Sequence, residues 1–373
     1  MDFSLDEEQE AVRELAARIL GDLSTPERLK ELEASDDRID RKAWQELANA
    51  GLLGIALPES DGGADLGFAA TAVVAEEVGR AAAAVPYVAV AVTGAGPIAA
   101  LGTDAQKARW LAGILAGDTI AVGALVEAGG DPALPSTTAT RDDGSWRLNG
   151  TKTCVPAGMA ADLLVVSART DDGAVGLFVV PTSAPGVTRL RQEATSGALE
   201  AEVELAGVVV DDGDVLVAGD AGADALVAVL EQATTAVCLE VAGACQAAVK
   251  LTAAYTSERE QFGKPIATFQ AVGQRAADAF IDSEAVRLTA WQAAWRLAEG
   301  LPAAAEVAVA KYWADDGAQR CVLAAQHLHG GVGVDREYPL HRYFLRVKHL
   351  SLTLGGATTS LLRLGDLLAE EPV

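Results

Sequence analysis

The stretch that decides the fold of this chain is Ser257-Glu258-Arg259-Glu260-Gln261-Phe262-Gly263-Lys264-Pro265-Ile266, which continues to Phe269-Gln270-Ala271-Val272. It closes a long apolar segment, and glycine and proline at such a place predict the end of a helix. We predict that the helix stops at Gly263 and Pro265, with Arg259 and Phe262 one turn apart. An arginine fork there can pair with a pyrophosphate. The alternative is a surface arginine beside a core aromatic.

A second glycine-rich stretch stands about 60 residues downstream: Gln326-His327-Leu328-His329-Gly330-Gly331-Val332-Gly333. It follows a predicted helix rather than a strand, so it is not a Rossmann fingerprint. One interpretation is a helix C-cap followed by a tight turn. The other is a backbone that approaches a bound phosphate or ribose where a side chain would collide.

A third stretch, Gly51-Leu52-Leu53-Gly54-Ile55 through Pro58-Glu59, lies near the N-terminus. With these three motifs the chain resembles, over nearly its whole length, the acyl-CoA dehydrogenase family. These flavoenzymes oxidise acyl-CoA thioesters to 2-enoyl-CoA. The resemblance implies a multidomain α and β protein with an N-terminal helical domain, a middle antiparallel β-barrel or sandwich, and a C-terminal four-helix bundle.

The periodicity of apolar residues independently predicts an α, β, α order. Residues 1–117 are helical in pattern, residues 118–222 contain short Val- and Thr-rich runs separated by turns, and residues 223–373 are helical again. We take these ranges as the three domains. The predicted strands are 120–126, 146–148, 163–167, 175–180 and 203–210. The predicted C-terminal helices are 224–257, 267–299, 302–328 and 357–369.

The resemblance implies a cofactor, FAD, that two subunits share. The matching positions hold the ADP half of an FAD whose flavin ring lies in the neighbouring subunit. By position these residues are Arg259, Gln261, Phe262, Phe269 and Gln270, together with the backbone of Gly330 and Gly331. His327 stands where the family usually has glutamine, and an imidazole still offers a hydrogen bond.

The base that removes the substrate α-proton is missing from both places where the family carries it. Counting from the 330–333 glycines, the C-terminal place falls on Leu354, followed by Gly355. Counting back from Arg259, the other place falls on Ala233. None of these side chains accepts a proton. Glu240, two helical turns beyond Ala233, is the alternative base, and a structural carboxylate inside the bundle is its ordinary interpretation.

The middle region departs from the family as well. Family members typically carry Thr-Glu-Pro and Trp-(Ile/Val)-Thr stretches that contact the flavin ring. Here the corresponding residues are Val126-Glu127-Ala128 and Cys154-Val155-Pro156. Two hydroxyls and an indole are lost, while the Arg259 side keeps its residues.

Composition excludes several classes of partner. Lys plus Arg number 29 against 53 Asp plus Glu, a formal net charge of −24, so nucleic acid and anionic membrane are not expected partners. The uncharged run 81–103 is interrupted by Pro86, Gly94 and Pro97, which favours a buried helical hairpin over a membrane span. Four cysteines without CxxC spacing and an acidic start unlike a secretory signal favour the cytoplasm. His327 and His329 lack a third ligand at metal-site spacing, so no metal is expected.

Three functional hypotheses remain open at this point. The first is a non-catalytic subunit of a heteromeric α2β2 acyl-CoA dehydrogenase, which contributes the ADP-half site to a glutamate-bearing paralogous subunit. The second is a self-sufficient homotetrameric enzyme that uses Glu240. The third is a structural homologue without flavin. For the enzymes, the resemblance implies an acyl-CoA of the fatty acid or steroid side-chain type and electron-transferring flavoprotein as acceptor.

Overall fold

The computed structural model describes residues 5–370, the side chain of Glu370 excepted. The chain divides into two compact units. One contains the residues up to Leu29, Ala72–Ala83 and the residues from Thr234 onward. The other contains Lys30–Thr71 and Ala84–Ala233.

Helices make up most of the first unit and the N-terminal third of the chain. A π-helical turn, Val88–Ala95, precedes α5, and a second, Trp313–Gly317, joins α9 to α10. The α-helices are α1 Glu7–Leu23, α2 Pro26–Glu33, α3 Arg41–Asn49, α4 Gly67–Arg80, α5 Gly96–Leu101, α6 Asp104–Leu115, α7 Gly222–Glu258, α8 Gln270–Ala298, α9 Ala304–Tyr312, α10 Ala318–His329, α11 Leu340–Leu350 and α12 Ala357–Glu370.

Strands form one eight-stranded sheet in the second unit and a short hairpin in the first. The sheet order is β6-β7-β3-β2-β4-β5-β8, and β1 also pairs with β4. The pairs β1–β4 and β2–β4 are parallel and the others are antiparallel. The strands are β1 Ala121–Ala124, β2 Thr138–Asp142, β3 Ser145–Pro156, β4 Leu163–Thr170, β5 Val175–Pro181, β6 Val187–Glu193, β7 Leu199–Asp211, β8 Val215–Gly219, β9 Glu260–Gln261 and β10 Lys264–Pro265.

The predicted fold class, helical then β then helical, is confirmed. The sheet is mixed rather than purely antiparallel, and three strands were not predicted: β2, β6 and β8. β6 (Val187–Glu193) carries two arginines among seven residues and is largely exposed, so its apolar alternation is weak. Helix α11 was also missed, since its charged residues outweigh its short apolar stripe.

The uncharged run 81–103 does not form the predicted hairpin. Residues Val88–Leu101 form one short apolar helix of mixed π and α geometry. α7 is the one helix in the described part of the chain that is long and apolar enough to cross a membrane. Because 67% of its most apolar window is buried, and core helices pass the same test, that property carries little weight.

Within the first unit, α4 and α7 cross backbone against backbone. A Cβ on Gly79 would lie 1.8 Å from the carbonyl oxygen of Glu240, and a Cβ on Gly243 would lie 1.9 Å from that of Glu76. Only glycine permits this approach. The crossing is reinforced by Trp291 on α8, whose indole N–H donates to Glu76 Oε2 at 2.9 Å.

We expect Gly79→Ala and Gly243→Ala each to lower the free energy of unfolding by at least about 2 kcal/mol, because backbone must move to admit one methyl group. Gly21→Ala on α1, where a Cβ meets nothing within 4 Å, is the matched control. It should be neutral or slightly stabilising, since alanine has the higher helix propensity. Chemical denaturation measures all three. A crossing variant as stable as the control would contradict the close approach.

Candidate functional site

The stretch from Arg259 to Ile266 forms a β-hairpin and not the end of a helix. α7 ends at Glu258, which agrees with the predicted helix 224–257, whereas the prediction that the helix stops at Gly263 and Pro265 was wrong. Strands β9 and β10 pair across a two-residue loop, Phe262-Gly263, in which both residues have positive φ, 53° and 78°. Two left-handed residues are what a type I′ hairpin turn requires, and glycine suits the second position. Sequence propensity missed the hairpin because its strands are only two residues long.

Phe262 lies at the tip of this hairpin and is 93% exposed, so the alternative of a core aromatic is wrong. Its ring meets Phe269 edge to face, with centroids 6.1 Å apart. The Lys264 ammonium lies 4.6 Å from the centre of the Phe269 ring, within cation–π distance. The hairpin therefore presents an aromatic surface flanked by positive charge.

Arg259 opens the hairpin, and its backbone carbonyl accepts from the N–H of Ile266 at 2.8 Å. Its side chain is exposed. Within residues 5–370 no hydrogen bond or ion pair engages the Arg259 guanidinium. Gln261 donates to the carbonyl of Glu260 at 2.8 Å, and Gln270 is exposed at the first residue of α8. The structure thus brings Arg259, Gln261, Phe262 and Phe269 together on one projection.

The turn after α10 is joined to the foot of the hairpin by an aromatic cluster. Tyr255, on the last turn of α7, stacks on His329 with ring centroids 4.4 Å apart, and its hydroxyl donates to the His329 carbonyl at 3.4 Å. His329 Nε2 lies 3.2 Å from the Tyr338 hydroxyl and Nδ1 lies 2.8 Å from the Ala325 carbonyl. Burial lowers the pKa of His329, which keeps the ring neutral, with Nδ1–H donating and Nε2 accepting. Sequence analysis gave this histidine no such role.

The glycines of that turn differ in whether backbone conformation or lack of space requires glycine there. Gly330 adopts φ 59° and ψ −136°, a conformation essentially restricted to glycine. A Cβ on Gly333 would lie 2.7 Å from the carbonyl oxygen of Gln326. Gly331 has ordinary φ and nothing within 4 Å of a Cβ, so this chain itself does not require glycine there. An unused guanidinium beside an open, glycine-lined turn fits the phosphates of a dinucleotide.

His327 is exposed near the C-terminus of α10. The second histidine of this stretch, His329, is buried and hydrogen-bonded through both ring nitrogens. Between residues 5 and 370 no group of three or more His, Cys, Asp or Glu side chains could hold a metal ion.

The two positions at which the family resemblance implies a base are occupied by Leu354 and Ala233. Leu354 is half-buried with φ 59°, an unusual value for leucine, and Gly355 follows at φ 114°. Ala233 is buried within α7. The backbone at position 354 is therefore left-handed although the residue is neither glycine nor asparagine.

Glu240, the alternative base, is held by an arginine. Its Oε1 accepts from Arg346 on α11 through Nε at 2.8 Å and Nη2 at 2.7 Å. The remaining Arg346 Nη1 donates to the carbonyl of Ala83 at 2.9 Å. This side-on ion pair ties α7 and α11 to the segment after α4, which favours the interpretation of Glu240 as a structural carboxylate.

In the sheet, the two stretches that depart from the family lie side by side. The N–H of Thr153 donates to the Val126 carbonyl at 2.9 Å. Cys154 has φ 50°, and its N–H donates to Gln192 Oε1 at 2.9 Å. Val126, Cys154 and Pro156 therefore lie on two backbone stretches that are joined by the hydrogen bond from Thr153 to Val126.

Glu127, the one residue retained between the altered positions, is the acceptor of a buried network. It accepts from the Lys152 ammonium at 2.7 Å, the Thr137 N–H at 2.9 Å, and the N–H and hydroxyl of Ser136. Lys152 is fully buried and also donates to Ser167 at 3.1 Å. Burial acts to raise the pKa of Glu127, but the bonds from Lys152, Ser136 and Thr137 lower it to about 2. A lysine in an alternating strand gives no sequence signal for such burial.

We expect Glu127→Gln to lower the free energy of unfolding by roughly 2–3 kcal/mol at neutral pH. Because the pKa is lower in the folded protein than the ordinary 4.5, the carboxylate stabilises the fold above pH 4.5. That contribution is lost as the pH falls from about 4.5 to 2. The variant should lack this acid-dependent loss, as measured by denaturation across pH. Glu204→Gln, on the exposed face of β7, is the control, and an equal effect there would contradict the network.

Comparison with known proteins gives the same picture along the whole chain. Three parts of the acyl-CoA dehydrogenase family match: the N-terminal domain over residues 6–118, the middle domain over 126–212 and the C-terminal domain over 220–364. Acyl-CoA dehydrogenase FadE27 of Mycobacterium tuberculosis is 38% identical over 381 residues, covering 100% of both chains. A chain of the ChsE4-ChsE5 complex of Mycobacterium tuberculosis is 38% identical with a TM-score of 0.94, covering 100% of both. A variant of the Tcur3481-Tcur3483 steroid ACAD is 45% identical with a TM-score of 0.90, covering 98% of both. This chain belongs to the acyl-CoA dehydrogenase family of FAD-dependent oxidoreductases.

Proposed function

We propose that this chain is the subunit without a catalytic base in a heteromeric acyl-CoA dehydrogenase. The complex would oxidise an acyl-CoA to its 2-enoyl-CoA. One observation carries the proposal: Arg259 and the Gly330-Gly331 turn keep an open phosphate site, while leucine and alanine occupy both base positions. A homomer that shares each site between two copies would have no base in any of them.

This chain's residues would hold the ADP half of the cofactor. The Arg259 guanidinium would pair with the pyrophosphate. The rings of Phe262 and Phe269 would pack against the cofactor from the hairpin. His327, Gln261 and Gln270 are exposed or half-exposed donors around it, and Gly331 leaves room for close approach. Bound FAD supplies the acceptor for the hydride that leaves the β-carbon as a base removes the α-proton. In our proposal that base and the flavin-ring contacts belong to the partner subunit.

The partner that fits this division is a paralogous chain that retains a glutamate. The asymmetry supports it, because three losses fall on the redox side, at Val126, Cys154 and Pro156. The ADP side keeps Arg259 and Phe262. The relatives support it too, since the ChsE4-ChsE5 and Tcur3481-Tcur3483 proteins are named as pairs.

Substrate, acceptor and compartment follow from the same resemblance. The steroid named for one relative and the small alanine side chains of the helices favour a bulky acyl-CoA such as a steroid side-chain thioester. We propose electron-transferring flavoprotein as the electron acceptor and the cytoplasm as the compartment, where the four free cysteines would stay reduced.

We expect the isolated chain to carry less than about a tenth of an equivalent of FAD and to show no acyl-CoA oxidation. Coexpression with a glutamate-bearing paralogue should restore flavin absorbance and activity together. Arg259→Met should lower the FAD content of that complex by roughly ten-fold or more, because a charge-assisted pair with phosphate is lost. Arg41→Met, which removes an exposed ion pair with Asp37, is the control and should leave the content unchanged.

Two outcomes would contradict the proposal. Stoichiometric FAD and acyl-CoA oxidation by the chain alone would establish the self-sufficient homotetramer instead. Failure of any paralogue and of FAD to bind would favour the flavin-free structural homologue.

We expect Glu240→Gln to leave the turnover of the complex per bound FAD unchanged, and to lower the free energy of unfolding by about 2–4 kcal/mol. The reason is that the variant removes the charge that faces Arg346 in the bundle. Turnover and chemical denaturation measured on one preparation separate the two effects. A loss of turnover of more than about a hundred-fold with normal stability would instead identify Glu240 as the base.

A further inference from the structure

A second buried lysine, Lys311, contacts the start of residues 350–356, the segment that contains position 354. It is the penultimate residue of α9, and only 2% of it is exposed. Its ammonium donates to Asp315 Oδ1 at 2.9 Å, to the Leu350 carbonyl at 3.1 Å and to the Ser351 carbonyl at 2.9 Å. An ammonium has three protons, so these three acceptors use all of them.

The two carbonyls lie at the C-terminal end of α11, where the Leu350 carbonyl also accepts from the N–H of Thr353 at 3.2 Å. α11 ends at Leu350, and the last carbonyls of a helix require donors from elsewhere. A cation at this place also interacts favourably with the helix dipole. Lys311 therefore caps α11 at the point where the chain turns into residues 351–356.

The far end of the same segment is fixed to α12. The carbonyl of Gly356 accepts from the N–H of Ser360 at 3.0 Å and from its hydroxyl at 3.1 Å. Between the two anchors, Leu354 and Gly355 take left-handed conformations, which leucine adopts only when the surroundings impose it. The anchors supply that constraint.

Asp315, the counterion of Lys311, is buried although one of its carboxylate oxygens lacks a hydrogen bond. It lies in the π-helical turn Trp313–Gly317, a distortion of the kind that recurs at functional sites. Its second oxygen, Oδ2, is buried without a hydrogen-bond partner and lies 3.9 Å from the place of a Cβ on Gly356. Burial raises the pKa of Asp315 to about 6, although the Lys311 charge acts to lower it. The carboxylate therefore faces both the ammonium and the segment that it supports.

We propose that Lys311 and Asp315 are a positioning pair: they hold residues 350–356 in one backbone conformation, so that position 354 keeps its orientation although its side chain is no longer a base. The part that concerns position 354 rests on the proposed function, and the positioning itself does not. The loss of the base is then a change of side chain and not a collapse of the segment that bore it.

The test is amide hydrogen exchange on the isolated full chain, resolved at the hydrogen-bonded amides of Ser351, Leu352 and Thr353. Lys311→Met should accelerate exchange there by about ten-fold or more relative to the amides of α10. Because Lys311→Met leaves Asp315 buried without a counterion, the double variant Lys311→Met/Asp315→Asn is measured as well. It removes both charges and should still accelerate exchange at the same amides, since the carbonyl caps remain lost.

Glu127→Gln is the matched control, because it breaks the other buried lysine–carboxylate pair. It should accelerate the amides of Ser136 and Thr137, which donate to Glu127, and leave residues 351–353 unchanged. Unchanged exchange at 351–353 in the double variant would overturn the positioning role. Acceleration spread equally over α9 and α10 would overturn it as well, since it would mean only global destabilisation.

A second experiment places a base on the supported segment and tests the proposed function separately. In a complex whose partner chain has its own glutamate replaced by glutamine, Leu354→Glu in this chain should give no deuterium uptake at the α-carbon. The reason is that the proposed function assigns the flavin-ring contacts and the base to the partner subunit. The substrate would be the acyl-CoA that the unmodified complex oxidises fastest, analysed by mass spectrometry. Uptake restored by Leu354→Glu, with local exchange as expected, would support the positioning pair and contradict the proposed function.

Discussion

A buried ammonium group must have a counterion and hydrogen-bond acceptors, and this constraint fixes two segments of the protein. Lys152 and Lys311 are both removed from water, and an uncompensated charge there would cost several kcal/mol. Lys152 finds Glu127 and Ser167 inside the sheet, and Lys311 finds Asp315 and two helix-terminal carbonyls in the helical unit. Each pair orders the backbone around a position for which the family resemblance implies a functional group, a flavin contact beside Glu127 and a base at position 354.

The two pairs hold the backbone in place at positions 126–128 and 354, where the side chains differ from those that the family resemblance implies. Glu127 accepts hydrogen bonds from the N–H groups of Ser136 and Thr137. Its removal would free that loop, whichever residues stand at positions 126 and 128. Leu354 keeps a left-handed conformation because the ends of its segment are tied down at Lys311 and Ser360. Side chains that point away from such segments can be substituted without altering the backbone, whereas the buried lysine–carboxylate pairs that hold the segments cannot.

The hairpin after α7 differs from these two buried pairs, because its charged and aromatic groups lie in solvent. It is almost fully exposed, its guanidinium has no partner among the described residues, and its tip carries a phenylalanine ring in solvent. Exposed aromatic and charged groups held by a tight turn contribute little to folding. The proposed function assigns them contacts with a ligand or a neighbouring chain.

Sequence by itself determined the family, the α, β, α order and the absence of a carboxylate at positions 354 and 233, because residue identities and local periodicity carry that information. It also singled out Arg259, Phe262 and the 330–331 glycines. It misjudged the hairpin, since strands of two residues leave no periodic signal, and it missed α11, whose apolar stripe is short. The partners of Glu240, Glu127 and Lys311 were decided only by tertiary structure. Arg346 lies 106 residues from Glu240, Lys152 lies 25 residues from Glu127, and the Leu350 carbonyl lies 39 residues from Lys311, and packing alone brings such distant groups together.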